Sequence, residues 1–251
     1  RRIGEKQPEE ASRAAVQAVA VGVAASLPFA LAGVLWPRGL LTLMGAPPSV
    51  VETGWGYTAW MLGGNVSIML LFLINAVFRG AGDATVAMRS LWLANAVNIV
   101  LDPCLIFGLG PFPEMGLTGA AVATAIGRGI GIAYQVAALV RGRGQIRVVR
   151  EQLRLRLDVI GQLLRLSVGG TMQYLVAPAS WVALVRIVGG FGAAAVAGYT
   201  IAIRIILFAL LPSWGLAGSA ATLMGQNLGA GRPERAERSV WIAGVFNTVF
   251  L

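Results

Sequence analysis

Long apolar runs, separated by short polar segments rich in Gly or Pro, account for most of the chain. Crossing roughly 30 Å of hydrocarbon takes about 20 apolar residues, and six runs reach that length: residues 15–36, 56–78, 90–110, 117–140, 159–185 and 193–222. A seventh starts near Ser239 and stops at Leu251. Several breaks carry residues that interrupt helices, as at Pro37, Pro47, Pro48, residues 111–113 and residues 189–192. The pattern predicts an all-α integral membrane protein.

The polar positions inside the runs carry the chemistry. In the third run Asn95, Asn98 and Asp102 follow one another at spacings of three and four, which puts them on one helix face. A carboxylate in an apolar span faces a cavity or a partner rather than lipid, and is by default a functional candidate. Burial disfavours its charge, whereas asparagine or threonine donors, or a bound cation, favour it. Such a group can exchange a proton or a sodium ion for a cationic compound. The structural alternative is an inert, hydrogen-bonded carboxylate beside a kink at Pro103. Asn98 is read as lining the cavity. Asn95 either lines it or bridges neighbouring helices.

On the fourth run Thr124 and Arg128 share a face; Thr124 either donates to a cation site or bonds its own backbone. Arg128 pairs with a carboxylate or snorkels to the cytoplasmic side. Gln173 and Tyr174 are read as packing residues, and Trp36 and Trp55 as interfacial anchors. The RGAGD segment at 79–83 lacks the Lys-Ser/Thr of a phosphate-binding loop, so a tight turn held by Arg79 and Asp83 is expected.

Composition removes whole classes of activity. Hydrophobic residues make up 57% of the chain and charged ones 12%, against roughly 25% charged in a soluble domain; mean hydropathy is +0.73. The chain has no histidine and one cysteine, Cys104, which excludes a disulfide framework, a His/Cys metal site and histidine-based triads within it. No enzyme and no cofactor is expected. The net charge of +9 does not point to nucleic acid, because the basic residues lie between apolar runs. Segments 1–14, 79–89, 141–158 and 226–238 hold fifteen Lys and Arg, and the opposite side holds only Arg38 and Arg186. The richer side is therefore cytoplasmic, which puts Asp102 about 13 residues into its span, roughly 20 Å deep. The arginines of 141–158 serve as positive-inside determinants, with anionic lipid as a further contact.

The chain also repeats itself. RRIGEKQPEEASR at 1–13 aligns without gaps on QNLGAGRPERAER at 226–238, matching Gly4 to Gly229, Pro8 to Pro233, Glu9 to Glu234, Ala11 to Ala236 and Arg13 to Arg238. Six spans separate the copies, so both face the same side, and the expected architecture is two parallel halves of six helices. Residues 1–140 are then the last four transmembrane helices of the amino-terminal lobe. Residues 141–158 form a cytoplasmic inter-lobe linker, and 159–251 hold the first two helices of the carboxy-terminal lobe and the start of its third. Both ends read as cuts in a longer protein.

Four segments, FRGAGDAT (78–85), NIVLDPCLIFGLG (98–110), GLTGAAVATAIGR (116–128) and FALLPSWGLAGSAATLMGQNLGAGRPERAERS (208–239), together resemble the multidrug and toxic compound extrusion (MATE) transporters. The resemblance implies a twelve-helix, two-lobed (6+6) antiporter that exports cationic or amphipathic organic compounds in exchange for protons or sodium, in the inner (plasma) membrane of a bacterium or archaeon. It implies lipid and small organic cations or drugs as partners, and a monomer. Asp102 and Asn98 take the positions of the family's Asn-x-x-x-Asp pair, with Na⁺ or H⁺ expected at Asp102. Asn75 takes that of the fourth-helix asparagine, and Thr124 that of the sixth-helix threonine. Where members with a carboxy-lobe sodium site carry a glutamate, Ala177 stands here. A flippase for a lipid-linked precursor, from the same broad superfamily, is the alternative; its pyrophosphate would call on Arg128 and Arg204.

Overall fold

The structure, a computed structural model, describes residues 1–141 and 156–251; most of the linker expected at 141–158 lies outside the described residues, as do the side chains of Gln173, Tyr174 and Ala177. The described residues are helical, without strands. The helices are α1 (Pro8–Leu35), α2 (Pro37–Leu43), α3 (Pro48–Gly63), α4 (Asn65–Gly80), α5 (Ala84–Phe107), α6 (Gly116–Arg141), α7 (Leu157–Gly189), α8 (Ala193–Gly229) and α9 (Pro233–Phe250). Proline opens α1, α2, α3 and α9, where its missing N–H costs nothing and its fixed φ suits a first turn.

One difference from the expected spans has a local cause. The run at 56–78 is not one helix: α3 begins eight residues earlier, and the chain breaks at Gly64, between α3 and α4. Ser67 Oγ donates to the Gly64 carbonyl at 2.7 Å, supplying an acceptor there with a side-chain partner. Among the described residues, five helical stretches are long and apolar enough to span a membrane: Pro8–Leu35, Pro48–Gly80, Ala84–Phe107, Gly116–Arg141 and Ala197–Gly229. The expected span 159–185 lies wholly within α7.

The chain divides into two compact units, Pro8–Leu155 and Arg1–Gln7 with Arg156–Leu251. In the first, α1 packs on α3 and α4, α6 packs on α3 and α4, and α5 and α6 share the most extensive contact. Ile74, Phe78, Ala87 and Ala138 form its buried cluster. Small residues bring α5 and α6 together. A Cβ at Gly127 would stand 2.6 Å from the Ala94 carbonyl oxygen, and one at Gly119 would run into the Leu105 carbonyl. Backbones can approach this closely only where no side chain intervenes. At the turn before α5, Asp83 accepts the Val86 N–H at 3.3 Å, capping the helix as expected; Gly108, at φ 67°, ends it in the left-handed conformation.

In the second unit the sequence repeat becomes visible in the backbone. Glu5, Lys6 and Gln7 donate to the carbonyls of Arg1, Ile3 and Arg2 at 3.1, 3.0 and 2.9 Å. In the other copy Ala230, Gly231 and Arg232 donate to Gln226, Leu228 and Asn227 at 3.0, 3.1 and 2.9 Å. The positive-φ position recurs too, as Lys6 (58°) and Gly231 (69°). The two turns also pack reciprocally: a Cβ at Gly4 would strike the Gln226 carbonyl, and one at Gly229 would strike the carbonyl of Arg1, the residue aligned with Gln226. A third turn of the same pattern joins α4 to α5, where Ala81, Gly82 and Asp83 donate to Val77, Arg79 and Phe78. Its equivalent glycine, Gly80, has open space where a Cβ would be.

Candidate functional site

Close packing of α5 on α6 builds the polar cluster. Asn98 and Asp102 are one helical turn apart on α5, and Asn98 Nδ2 donates to Asp102 Oδ1 at 3.1 Å and to Thr124 Oγ1 on α6 at 3.3 Å. The orientation of the Asn98 amide follows from its neighbours. Thr124 spends its one hydrogen on the Ala120 carbonyl at 2.8 Å, so its oxygen can only accept, as does the carboxylate on the other side. The nitrogen must therefore face both. Asn98 Oδ1 and Asp102 Oδ2 make no hydrogen bond in this cluster, and all three side chains are half-buried. A carboxylate oxygen and a hydroxyl oxygen thus share one amide donor, and the amide oxygen of Asn98 is turned away from both.

The helix continues to Phe107, five residues past Asp102, and Asp102 lies 18 residues from Ala84, about 27 Å of rise. Pro103 follows directly. It has no N–H for the Ile99 carbonyl, which leaves a second polar oxygen in the same stretch without its usual helical donor.

Of the residues singled out from the sequence, Asp102, Asn98 and Thr124 come together. Asn95 is exposed on α5 and makes no hydrogen bond to the cluster. Asn75 is elsewhere, in a second polar cluster that sequence reasoning missed. Gln135 Nε2 on α6 donates to Asn75 Oδ1 at 2.8 Å, to Ser90 Oγ at 3.0 Å and to the Leu71 carbonyl at 3.3 Å. Ser90 Oγ is 3.0 Å from Asn75 Oδ1. Asn75, Ser90 and Gln135 are essentially inaccessible, and the trio fastens α4, α5 and α6 together. Ser90 precedes Asp102 by twelve residues, about 18 Å along α5. Counting from the α4–α5 turn would have found this pair, because Asn75 lies eight residues before Asp83 and Ser90 seven after it.

Arg128 is half-buried on α6 and forms no ion pair with a carboxylate among the described residues; Tyr57 of α3 is within its electrostatic reach. Arg204 is exposed on α8. Arg38, on the side with few cations, is held 5.1 Å from the centroid of the Trp55 ring and 3.3 Å from Glu52. Two hollows open in the same unit. One, of about 420 Å³, is apolar; Val34, Trp60, Ser67 and Ala125 line it, next along α6 to Thr124. The other, of about 250 Å³, lies at the opposite end of the α5–α6 pair and is lined by Asp83, Thr85, Arg89, Tyr134 and Arg141.

Comparison with known proteins places this arrangement. The MatE family model matches residues 1–104 and 171–251. A probable multidrug resistance protein of Bacillus subtilis, YoeA, is 24% identical over 88% of this chain and 50% of its own length. A Shewanella oneidensis FAD transporter is 26% identical over 87% and 48%, and a probable multidrug resistance protein NorM of Thermotoga maritima 30% identical over 71% and 38%. Among solved structures, MATE in the straight conformation superposes with a TM-score of 0.88 at 25% identity, covering 99% of this chain and 55% of that one. A Pyrococcus furiosus transporter of the MOP superfamily, described as having a binding pocket of reversed polarity, superposes at 0.87 with 25% identity, covering 96% and 53%. The chain spans about half the length of the relatives it matches. With the family model covering both units, and an all-α fold of membrane-spanning helices that matches these structures, the chain is an integral membrane protein belonging to the MatE family.

Proposed function

We propose that the protein exports cationic, amphipathic organic compounds by alternating access, in antiport with protons or sodium ions. The observation that carries this reading is the Asn98–Asp102–Thr124 cluster, where one carboxylate oxygen of Asp102 accepts from a neutral donor and the other makes no hydrogen bond within the cluster. Ion binding there biases one conformation over the other, which is the only way a ligand can drive a change of state. Relatives described as multidrug resistance proteins support the substrate class, and the apolar hollow beside Ala125 and Trp60 offers a surface for an aromatic cargo. In this reading the whole transporter has two lobes of six helices in the inner membrane of a prokaryote, works as a monomer, and joins its lobes through 141–158. The matched turns at 1–7 and 226–232 and the half-length coverage of relatives support that arrangement.

The test is extrusion of an ethidium-like dye from vesicles carrying the complete gene product, under an imposed proton or sodium gradient. Asp102→Asn is expected to abolish gradient-driven extrusion while leaving the protein folded and inserted. Undiminished extrusion by that variant removes Asp102 from the mechanism.

Arg128 favours a second reading. A half-buried guanidinium without a carboxylate partner among the described residues repels cations and suits a phosphate-bearing cargo, such as the lipid-linked precursor of a flippase; a relative is described as an FAD transporter, and FAD bears phosphate. Arg128→Gln separates the readings. It leaves dye extrusion intact under the first and abolishes transport of the anionic cargo under the second.

A further inference from the structure

The polar hollow at the cytoplasmic end of α5 and α6 has no part in the transport chemistry above, yet its lining is specific. Thr85 and Arg89 are one turn apart on the first turns of α5, and Tyr134 and Arg141, seven apart, share a face on the last turns of α6. Ala137 and Ala138 form the floor between them, and their small side chains are what leaves the space open. Arg89 and Arg141 thus approach one cavity of about 250 Å³ from two helices, and neither forms an ion pair among the described residues. The carboxylate of Asp83 also lines the hollow, but it accepts the Val86 N–H as the cap of α5.

The height of the hollow in the membrane identifies the ligand. α5 and α6 contain 24 and 26 residues, about 36 and 39 Å of helix, so their ends extend beyond roughly 30 Å of hydrocarbon into the headgroup layer. These are the ends that the arginine distribution puts on the cytoplasmic side, where anionic lipid is concentrated. Arginines needed only to fix orientation would gain nothing by converging on a cavity furnished with a phenol and a hydroxyl. Guanidinium forks match phosphate oxygens two at a time.

We propose that this hollow is a binding site for the phosphate of an anionic phospholipid, held between Arg89 and Arg141 with Tyr134 and Thr85 as hydroxyl donors. Occupied, it ties the start of α5 to the end of α6 at the membrane surface.

Native mass spectrometry of the complete gene product, purified in neutral detergent and mixed with phosphatidylglycerol, phosphatidylcholine or inorganic phosphate, tests it. Phosphatidylglycerol is expected to stay bound, and to raise the unfolding temperature, where phosphatidylcholine and inorganic phosphate do neither. The Arg89→Gln/Arg141→Gln variant is expected to retain phosphatidylglycerol at least about tenfold less well, the factor for losing one charge-assisted hydrogen bond or more. Arg235→Gln/Arg238→Gln removes the same charge elsewhere on the cytoplasmic side and is expected to retain the lipid as the parent does. Equal retention of the two lipids, equal loss in both double variants, or an equal response to inorganic phosphate each overturns the assignment. The last of these makes it a site for a free anion instead. Should the first double variant fail to insert, the single Arg141→Gln, at the very end of α6, carries the same expectation of reduced retention.

Discussion

Gly127 is the position where a single methyl group tests how the polar cluster is assembled. A Cβ there would lie 2.6 Å from the Ala94 carbonyl oxygen and 3.4 Å from Asn98 Cβ. Relieving the first contact to the 3.4 Å of the second requires α6 to back away from α5 by about 0.8 Å. Asn98 Nδ2 and Thr124 Oγ1 are already 3.3 Å apart, so a displacement of that size takes them beyond hydrogen-bonding distance. Overpacking costs about 1–3 kcal/mol, and an interhelical hydrogen bond in a membrane about 0.6 kcal/mol. Against this, alanine is the better helix former by up to about 1 kcal/mol. With the full propensity gain subtracted, the net expectation for Gly127→Ala is a loss of about 0.6–2.6 kcal/mol together with weakened ion coupling. Gly129, two residues on, has nothing within 4 Å of an added Cβ, so Gly129→Ala keeps only the propensity gain. Unfolding temperatures of the two variants in detergent, with dye extrusion measured alongside, make the comparison. Equal stabilities would refute the claim that glycine at 127 is what holds Thr124 against Asn98.

Other substitutions follow from the same geometry. Gln135→Leu removes three hydrogen bonds from the buried trio, at about 0.6 kcal/mol each in a membrane, and should lower the unfolding temperature without moving the ion dependence of transport. Gly229→Ala collides with the Arg1 carbonyl, whereas Gly80→Ala, at the equivalent place in the α4–α5 turn, meets nothing; only the first should destabilise, by about 1–3 kcal/mol, as judged by thermal unfolding. Asp83→Ala removes the cap on α5 and is expected to cost about 0.5–2 kcal/mol, read in the same assay.

Periodicity was a good guide to whatever depends on one helix alone. The Asn98–Asp102 contact follows from four-residue spacing on α5, and the turn at 79–83 from its glycines and its capping aspartate. Contacts between helices were harder to read. Thr124 reaches Asn98 because Gly119 and Gly127 let two backbones approach, and a glycine's role as a packing surface is invisible until its neighbour is known. Asn75 joins Ser90 and Gln135 because of its height above a turn, a geometric property that a linear motif does not convey. The run at 56–78 belongs to one apolar stretch, Pro48–Gly80, in which a single turn residue, Gly64, separates α3 from α4; a one-residue break leaves no mark in hydropathy.

The reciprocal seating of Gly4 and Gly229 has a mechanical consequence. Arg1–Gln7 runs directly into α1 at Pro8, and residues 226–232 join α8 to α9. Within their unit the two segments therefore meet peptide group against peptide group, with no rotamer in between to yield. Side-chain variation around this junction can drift without loosening it, and the smallest possible addition, one carbon at either glycine, is enough to prise it apart.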